Sequence, residues 1–323
     1  VNNRDREKKI ESFLTQRDWL RDIEDISFLA SGEYNENYYV RDRQKGERVF
    51  RINHGSQLDL ENQVEYEFQV LQAVYPSGVT PAPVRYELDT PEFSAGVMLM
   101  EYLPGRPFSY AGDSEEAAKT FARIHSLEPD SRLVVQKNPV ISIAEESLWL
   151  INRYPDHPLV SKRPLLFEYQ EYIVRLGKEE EAFFSRDRLC MVNTEVNSGN
   201  FIVGEDRAWL VDWEKAVVSS RYQDLGHFLV PTTTRWKTDH VFDRDSRIAF
   251  LEAYRGSLEE DIPIEDLDRG SRVLEKTILL RALSWCYMAY FEYTGSERTL
   301  TSTVTFDRIR TYLDEIETLL VMD

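Results

Sequence analysis

Cysteine is almost missing from this 323-residue chain: only Cys190 and Cys286 are present, far apart in sequence. They form no metal-ligand spacing, and two buried thiols in a reducing cytoplasm is the reading they support. Long apolar runs are missing too. No stretch reaches the ~18 consecutive apolar residues of a membrane helix, and the opening VNNRDREKKIESFLTQRDWL holds no apolar signal core. Positive charge is scarce: 39 Lys and Arg face 57 Asp and Glu, for a net charge of −18. Such a surface is a poor partner for a phosphate backbone, so nucleic acid is not expected as the main ligand. The deficit suits a cationic substrate, a solvated acidic surface or a salt-adapted source. Internal repeats and low-complexity tracts are also absent.

What is present is an ordinary globular composition, 42% apolar, and a length that suits roughly two domains at about 150 residues each. Residues 6–24 carry an apolar stripe at Ile10, Phe13, Leu14 and Leu20, which predicts a short amphipathic helix. Residues 26–40 alternate around SGEYNEN as a hairpin, and ERVFRIN at 47–53 reads as the next strand. Val64, Phe68, Leu71 and Val74 predict a helix over 59–75 that stops at Pro76, and strands follow at 83–89 and 95–103. The breaker cluster PGRP at 104–107 marks a domain boundary. Beyond it, helices are predicted at 114–127, capped by Asp113 or Ser114, and at 142–153, 163–184, 243–255, 271–292 and 303–321. The fold class is therefore α+β: a small antiparallel sheet with one helix over 1–103, and a mostly helical unit over 104–323.

One hairpin interrupts the helices. FIV at 201–203 and WLV at 209–211 read as paired strands joined by Gly204–Ala208. Asn200 and Asp212 are equidistant from Asp206, so a symmetric register sets them opposite each other, roughly 5 Å apart. An amide oxygen and a carboxylate at that spacing are hard ligands suited to magnesium. A surface hairpin with polar ends explains the same pattern.

In their order along the chain, these segments resemble the aminoglycoside phosphotransferase and choline kinase group of kinase-like enzymes. The resemblance spans roughly residues 26–230. That group carries a catalytic loop H-G-D-x-x-x-x-N, a hairpin, and then I-D-W-E or D-F-G. This chain has Asn193-Thr194-Glu195-Val196-Asn197-Ser198-Gly199-Asn200 and then Val211-Asp212-Trp213-Glu214. The resemblance implies a two-lobed protein-kinase-like fold that binds ATP, with Mg2+ on Asn200 and Asp212. It makes Asp224, in Gln223-Asp224-Leu225, the brace of the catalytic loop, alongside Asn193. It places Ser31 and Gly32 of FLASGEYNENYYV over the phosphates, Arg51 where kinases carry the phosphate-gripping lysine, and Glu67 as partner of Arg51. GVMLMEYLPG at 96–105 becomes the hinge, with adenine read by backbone near Glu101 and Leu103 and with Met98 and Met100 either facing the base or packing the strand. His125 of FARIHSLEP reads as a packed core histidine. The acceptor site falls on the helical lobe, where Trp236, Trp285, Tyr287, Tyr290 and Tyr293 read as core or as pocket lining.

One position departs from the pattern. Glu195 stands where the group has the aspartate that accepts the acceptor's hydroxyl proton, and Asn193 stands where it has histidine. Glutamate has the chemistry but is one methylene longer, and a misplacement of about 1 Å costs on the order of 10²-fold in rate. Two expectations follow. One is an ATP- and Mg2+-dependent phosphotransferase acting on a hydroxyl of a small molecule, with an amine-bearing acceptor permitted by the acidic charge. The other is a kinase-like nucleotide-binding protein with altered or no transfer. Intact Asn200, Asp212, Arg51 and Glu67 argue against a third, an interaction protein with a dead cleft.

Overall fold

The structure is a computed structural model that describes residues 3–32, 34–56, 58, 60–295 and 303–322. Helix α1 (Asn3–Gln16) opens the chain and buries Ile10, Phe13 and Leu14. It stops earlier than its apolar stripe predicts. Asp18 takes a left-handed backbone, φ 57°, and the Trp19 and Leu20 N–H groups fold back onto the Leu14 carbonyl at 2.9 and 3.3 Å. Leu20 is therefore buried, but as part of a turn.

Five antiparallel strands follow: β1 (Ile23–Ser31), β2 (Asn35–Asp42), β3 (Gly46–Asn53), β4 (Pro83–Thr90) and β5 (Ala95–Glu101), in the order β1-β2-β3-β5-β4. Helix α2 (Gln63–Val74) crosses between β3 and β4; Asp59, the predicted helix start, lies outside the described residues. Strand alternation assigns the faces. Phe50 and Ile52 of β3 pack with α1, whereas Val49 joins Val64 and Leu71 of α2 in the main core. Arg51 shares the Val49 side. On α2, Glu67 sits on the stripe defined by Val64 and Leu71, so a carboxylate occupies an apolar position.

Arg6 ties α1 to the sheet. It holds Glu36 of β2 through two N–H bonds, 2.6 and 3.1 Å, while Tyr38 donates to the same carboxylate and His54 lies 2.7 Å away. Burial raises the Glu36 carboxyl, but these contacts outweigh it and lower it to about 2. A depressed folded-state value contributes stability that is complete above the ordinary 4.5 and is lost as pH falls towards 2. Glu36 is partly exposed, so Glu36→Gln is expected to destabilise by about 1–2 kcal/mol at pH 7 after solvent screening. Urea unfolding should show that deficit shrinking between pH 4.5 and pH 2.5; an equal deficit at both ends of that range would remove the ion pair as its cause.

The chain then enters the helical lobe through β6 (Arg106–Pro107), which pairs with β8 (Phe201–Val203). Gly105 makes this possible: a side chain there would collide with the Val203 backbone. Helix α3 (Tyr110–His125) begins with Ser109 as N-cap, not at Asp113 or Ser114. Asp113 instead lies inside the first turn, accepting from the Ser109 N–H at 2.8 Å and from Arg106 at 2.7 Å. Helix α4 (Pro139–Asn152) starts three residues early because Asn138 caps the Ile141 N–H. The predicted 163–184 helix divides into α5 (Arg163–Glu179) and α6 (Glu181–Phe184). After β7 (Leu189–Val192), β8 and β9 (Ala208–Leu210) comes β10 (Val217–Ser220), which pairs with β7. Helices α7 (Tyr222–Leu229), α8 (Pro231–Lys237), α9 (Arg244–Arg255) and α10 (Ile264–Thr294) complete the core, with α11 (Thr303–Asp314) and α12 (Ile316–Leu319) behind them.

Candidate active site

The site is built on the loop between β7 and β8. Asp224, in the first turn of α7, is fully buried. Its carboxylate accepts the Asn193 N–H at 2.9 Å and the Thr194 N–H at 2.8 Å. His125 lies against it at 3.3 Å and against the Tyr254 hydroxyl at 2.9 Å, so it is a packed, hydrogen-bonded core residue. Thr194 has φ 69°, a left-handed backbone that costs a β-branched residue about 1–3 kcal/mol. Three further elements hold it there: Asp224 through its N–H, the Lys215 carbonyl through its hydroxyl at 3.0 Å, and Arg281 of α10, which donates to its carbonyl at 3.1 Å.

Asn193 uses both ends of its amide and Asn200 uses one. Asn193 donates to the Asp212 carbonyl at 2.9 Å and accepts the Glu195 N–H at 3.0 Å. Asn200 donates its Nδ2 to the Glu195 carbonyl at 2.6 Å. The end of Asn200 left for a ligand is therefore Oδ1. The Glu195 side chain is held at 3.2 Å by Lys215.

The β8–β9 register corrects the expected symmetry. Phe201 pairs with Leu210 and Val203 with Ala208, and the Val211 N–H bonds the Asn200 carbonyl at 2.9 Å. Asn200 is thus opposite Val211, and the turn is centred between Glu205 and Asp206. Asp212 lies one residue further on, where a strand would point it to the other face. It does not continue the strand: its φ is 66°, and this left-handed twist turns the carboxylate onto Arg51, 3.0 Å away.

Arg51 gathers the sheet side of the site. It donates to Asn37 at 2.9 Å and pairs with both Glu67 and Asp212. Burial opposes its charge, but Glu67, Asp212 and Glu214 outweigh that and keep it above the ordinary value. Burial raises the Glu67 carboxyl, with Arg51 acting against the rise. Glu214, two residues past Asp212, is buried and accepts from Asn35 of β2. Burial, then the charges of Asp212 and Glu67, push its carboxyl up to about 8. Oxygens of Glu195, Asp212 and Glu214 all lie within 4.8 Å of one another.

The remaining predicted residues are more loosely grouped. Ser31 ends β1 and Gly32 follows it at an exposed tip, where the Gly32 N–H bonds the Asn35 carbonyl at 2.9 Å. A side chain at Gly32 would meet nothing within 4 Å among the described residues. Glu101 is committed to Ala82: its N–H donates to the Ala82 carbonyl at 2.9 Å and its carboxylate accepts the Ala82 N–H at 3.0 Å. Leu103 lies beyond the last β5 residue and is buried, as are Met98 and Met100 within the core. Three participants were not singled out from sequence. Glu214 stands in the quoted D-W-E run, whose second carboxylate was the available signal. Lys215 and Arg281 join the loop only through tertiary packing and left no pattern.

The fold has solved relatives. An ethanolamine kinase from Plasmodium vivax superposes with a TM-score of 0.70 at 14% identity, covering 96% of this chain and 89% of that one. A choline kinase from Streptococcus pneumoniae gives 0.65 at 15%, covering 97% and 99%. An amicoumacin kinase bound to AMP-PNP and Ca2+ gives 0.61 at 16%, covering 96% and 94%. At these identities the likeness shows the fold alone, a two-lobed protein-kinase-like architecture. No curated protein matches the sequence. The phosphotransferase enzyme family model, however, matches residues 25–268, which is well over half of the chain and extends past the segments that carry the sequence resemblance. The chain belongs to the phosphotransferase enzyme family.

Proposed function

We propose that this protein transfers the γ-phosphoryl group of ATP, in the presence of Mg2+, to a hydroxyl of a small molecule. The observation that carries this reading is the convergence of Glu195, Asp212 and Glu214 within 4.8 Å, facing Arg51 from below the sheet. Magnesium fits this donor set. All donors are hard oxygens, Asn200 offers Oδ1 alone, and a cation would offset the charges of Asp212 and Glu67 that, after burial, push Glu214 up to about 8. Asn200 and Asp212 would hold the metal, with Glu214 beside them. When bound, the metal would neutralise charge on the phosphates.

The chain's own groups do the rest. Arg51, fixed by Glu67, offers N–H donors to the α- and β-phosphates. Among the described residues the space over Gly32 is open, with Ser31 beside it, which would leave room for the phosphates. Leu103, past the end of β5, is the better of the two hinge residues for offering adenine a backbone N–H, since that of Glu101 is already bonded to Ala82. Glu195, oriented by Lys215 and by the Asn193 side chain, accepts the hydroxyl proton. Asp224 keeps the strained loop in place. These roles divide the chain into a nucleotide-covering part up to residue 103 and a catalytic and acceptor-binding part beyond it. An ATP donor favours the cytoplasm as its location. No described helix is long and apolar enough to cross a membrane.

Thermal unfolding tests the nucleotide half of the proposal. ATP with Mg2+ a hundredfold above Kd should stabilise by about 2.7 kcal/mol, roughly a 5 °C rise in Tm, and EDTA should remove most of it. No shift with ATP or GTP would end the proposal. A shift without ADP release on any acceptor would favour nucleotide binding without transfer.

A further inference from the structure

The total charge of −18 points to a cationic acceptor; the residues around the catalytic loop point the other way. Three cations reach residues 194–200 from three separate elements. Lys215, after β9, lies 3.2 Å from Glu195. Arg281, in the middle of α10, donates to the Thr194 carbonyl at 3.1 Å. Lys237, at the end of α8, lies directly over Gly199, where any side chain would strike its ammonium group. Arg281 lies 3.5 Å from His227, and, after burial, Arg281 and Lys215 both hold that imidazole below its ordinary value.

The chain as a whole holds 57 acidic and 39 basic residues. Among the described residues, Lys237 and Arg281 have no carboxylate within ion-pair distance. Arg235, one residue before Trp236, takes the nearby Glu315 at 2.9 Å. Next to the two cations stand two half-buried indoles. Trp236 precedes Lys237, Trp285 is one turn beyond Arg281, and the rings meet edge-on at 5.9 Å. An ammonium and a guanidinium that reach one loop, from two helices whose indoles touch, carry the chemistry that recognises a small organic anion.

We propose that the acceptor is a hydroxyl-bearing anion, a hydroxy acid or a phosphorylated polyol, whose charged group sits between Lys237 and Arg281 while its hydroxyl faces Glu195. This rests on the phosphotransferase reading above. The acceptor oxygen bonds to the γ-phosphorus as the bridging β–γ P–O bond breaks, the hydroxyl proton passes to Glu195, and ADP leaves. The product is a phosphate monoester of the anion. The same cations would also suit the γ-phosphate itself, and the experiment separates the two.

ADP release is measured with D-glycerate and 3-hydroxybutyrate as carboxylates and with sn-glycerol 3-phosphate as a phosphate. Glycerol and choline serve as neutral and cationic counterparts. At least one anion should exceed both counterparts in kcat/KM by about tenfold or more. Lys237 is exposed, so Lys237→Glu should fold; it should raise the KM of that anion by about tenfold and the KM of ATP by less than about twofold. The carboxylate and phosphate arms then show which anion is recognised. Preference for glycerol or choline overturns the inference, as does a rise confined to the KM of ATP. So does failure of all three anions both to release ADP and to shift the Tm of the ADP–Mg2+-loaded protein. Loss of ATP–Mg2+ stabilisation in the unaltered protein would instead overturn the underlying phosphotransferase reading.

Discussion

Asp212→Asn is expected to lower kcat by roughly 10³-fold, about 4 kcal/mol of transition-state stabilisation, while leaving the apo fold nearly as stable as before. Asparagine is the informative replacement because of the backbone. Asp212 has φ 66°, a region that asparagine tolerates and that costs alanine about 1–2 kcal/mol. The amide also keeps an oxygen for Arg51, now 3.0 Å from the carboxylate. What disappears is one full negative charge from the group of Glu195, Asp212 and Glu214. If Asp212, with Asn200 and with Glu214 beside them, holds magnesium against the phosphates, turnover and the Mg2+-dependent part of the ATP thermal shift should fall together. Steady-state kinetics across Mg2+ concentration, read beside the Tm, gives the answer. Activity within about tenfold of the unaltered enzyme would mean that Asp212 is a structural partner of Arg51 and that the metal, if used, sits elsewhere.

Several site residues were legible because local periodicity constrains them. Arg51 lies on an alternating strand, so its face follows from Val49 and Phe50. Glu67 lies on the α2 stripe, so its burial follows from Val64 and Leu71, and the two meet because both are forced inward. Asp224 at a helix start is similarly local. The hairpin was legible in outline only. Its strands were evident, but its register was not, since a shift of one residue in the turn exchanges faces and nothing in Gly204–Ala208 fixes the centre. The left-handed backbone at Asp212, which restores the contact that symmetry would have supplied, has no sequence signature. Strands β7 and β10 are four residues each and pair across the whole active-site segment. Helix α8, PTTTRWK, is rich in threonine, a poor helix former, and tertiary packing decides it. That is why Lys237 and Arg281, residues that share one loop in space, gave no joint signal in sequence.

Glu195→Gln should separate proton transfer from everything else. Glutamine keeps the length and one oxygen but has no carboxylate to take the proton, and general-base removal typically costs about 10²–10⁴-fold in kcat. The backbone around it should not move. The Glu195 N–H is held by Asn193, its carbonyl by Asn200, and Thr194 by Asp224, none of which involves the Glu195 side chain. Stabilisation by ATP and Mg2+ should therefore survive, unlike in Asp212→Asn. Lys215 loses its partner at 3.2 Å, but the pair is half-buried, so the stability change should stay within about 1 kcal/mol. Glu195→Asp supplies the second comparison. Shortening by one methylene restores the residue type that the motif resemblance places here, on a loop that has been set for glutamate. If the site has adapted to the longer side chain, Glu195→Asp should lose on the order of 10-fold or more, because about 1 Å of displacement is enough to matter. If the loop is merely a degraded version of the aspartate form, Glu195→Asp should gain activity. Turnover unchanged in Glu195→Gln would remove Glu195 as the proton acceptor whatever the aspartate variant does, and would leave Glu214 as the next carboxylate to test.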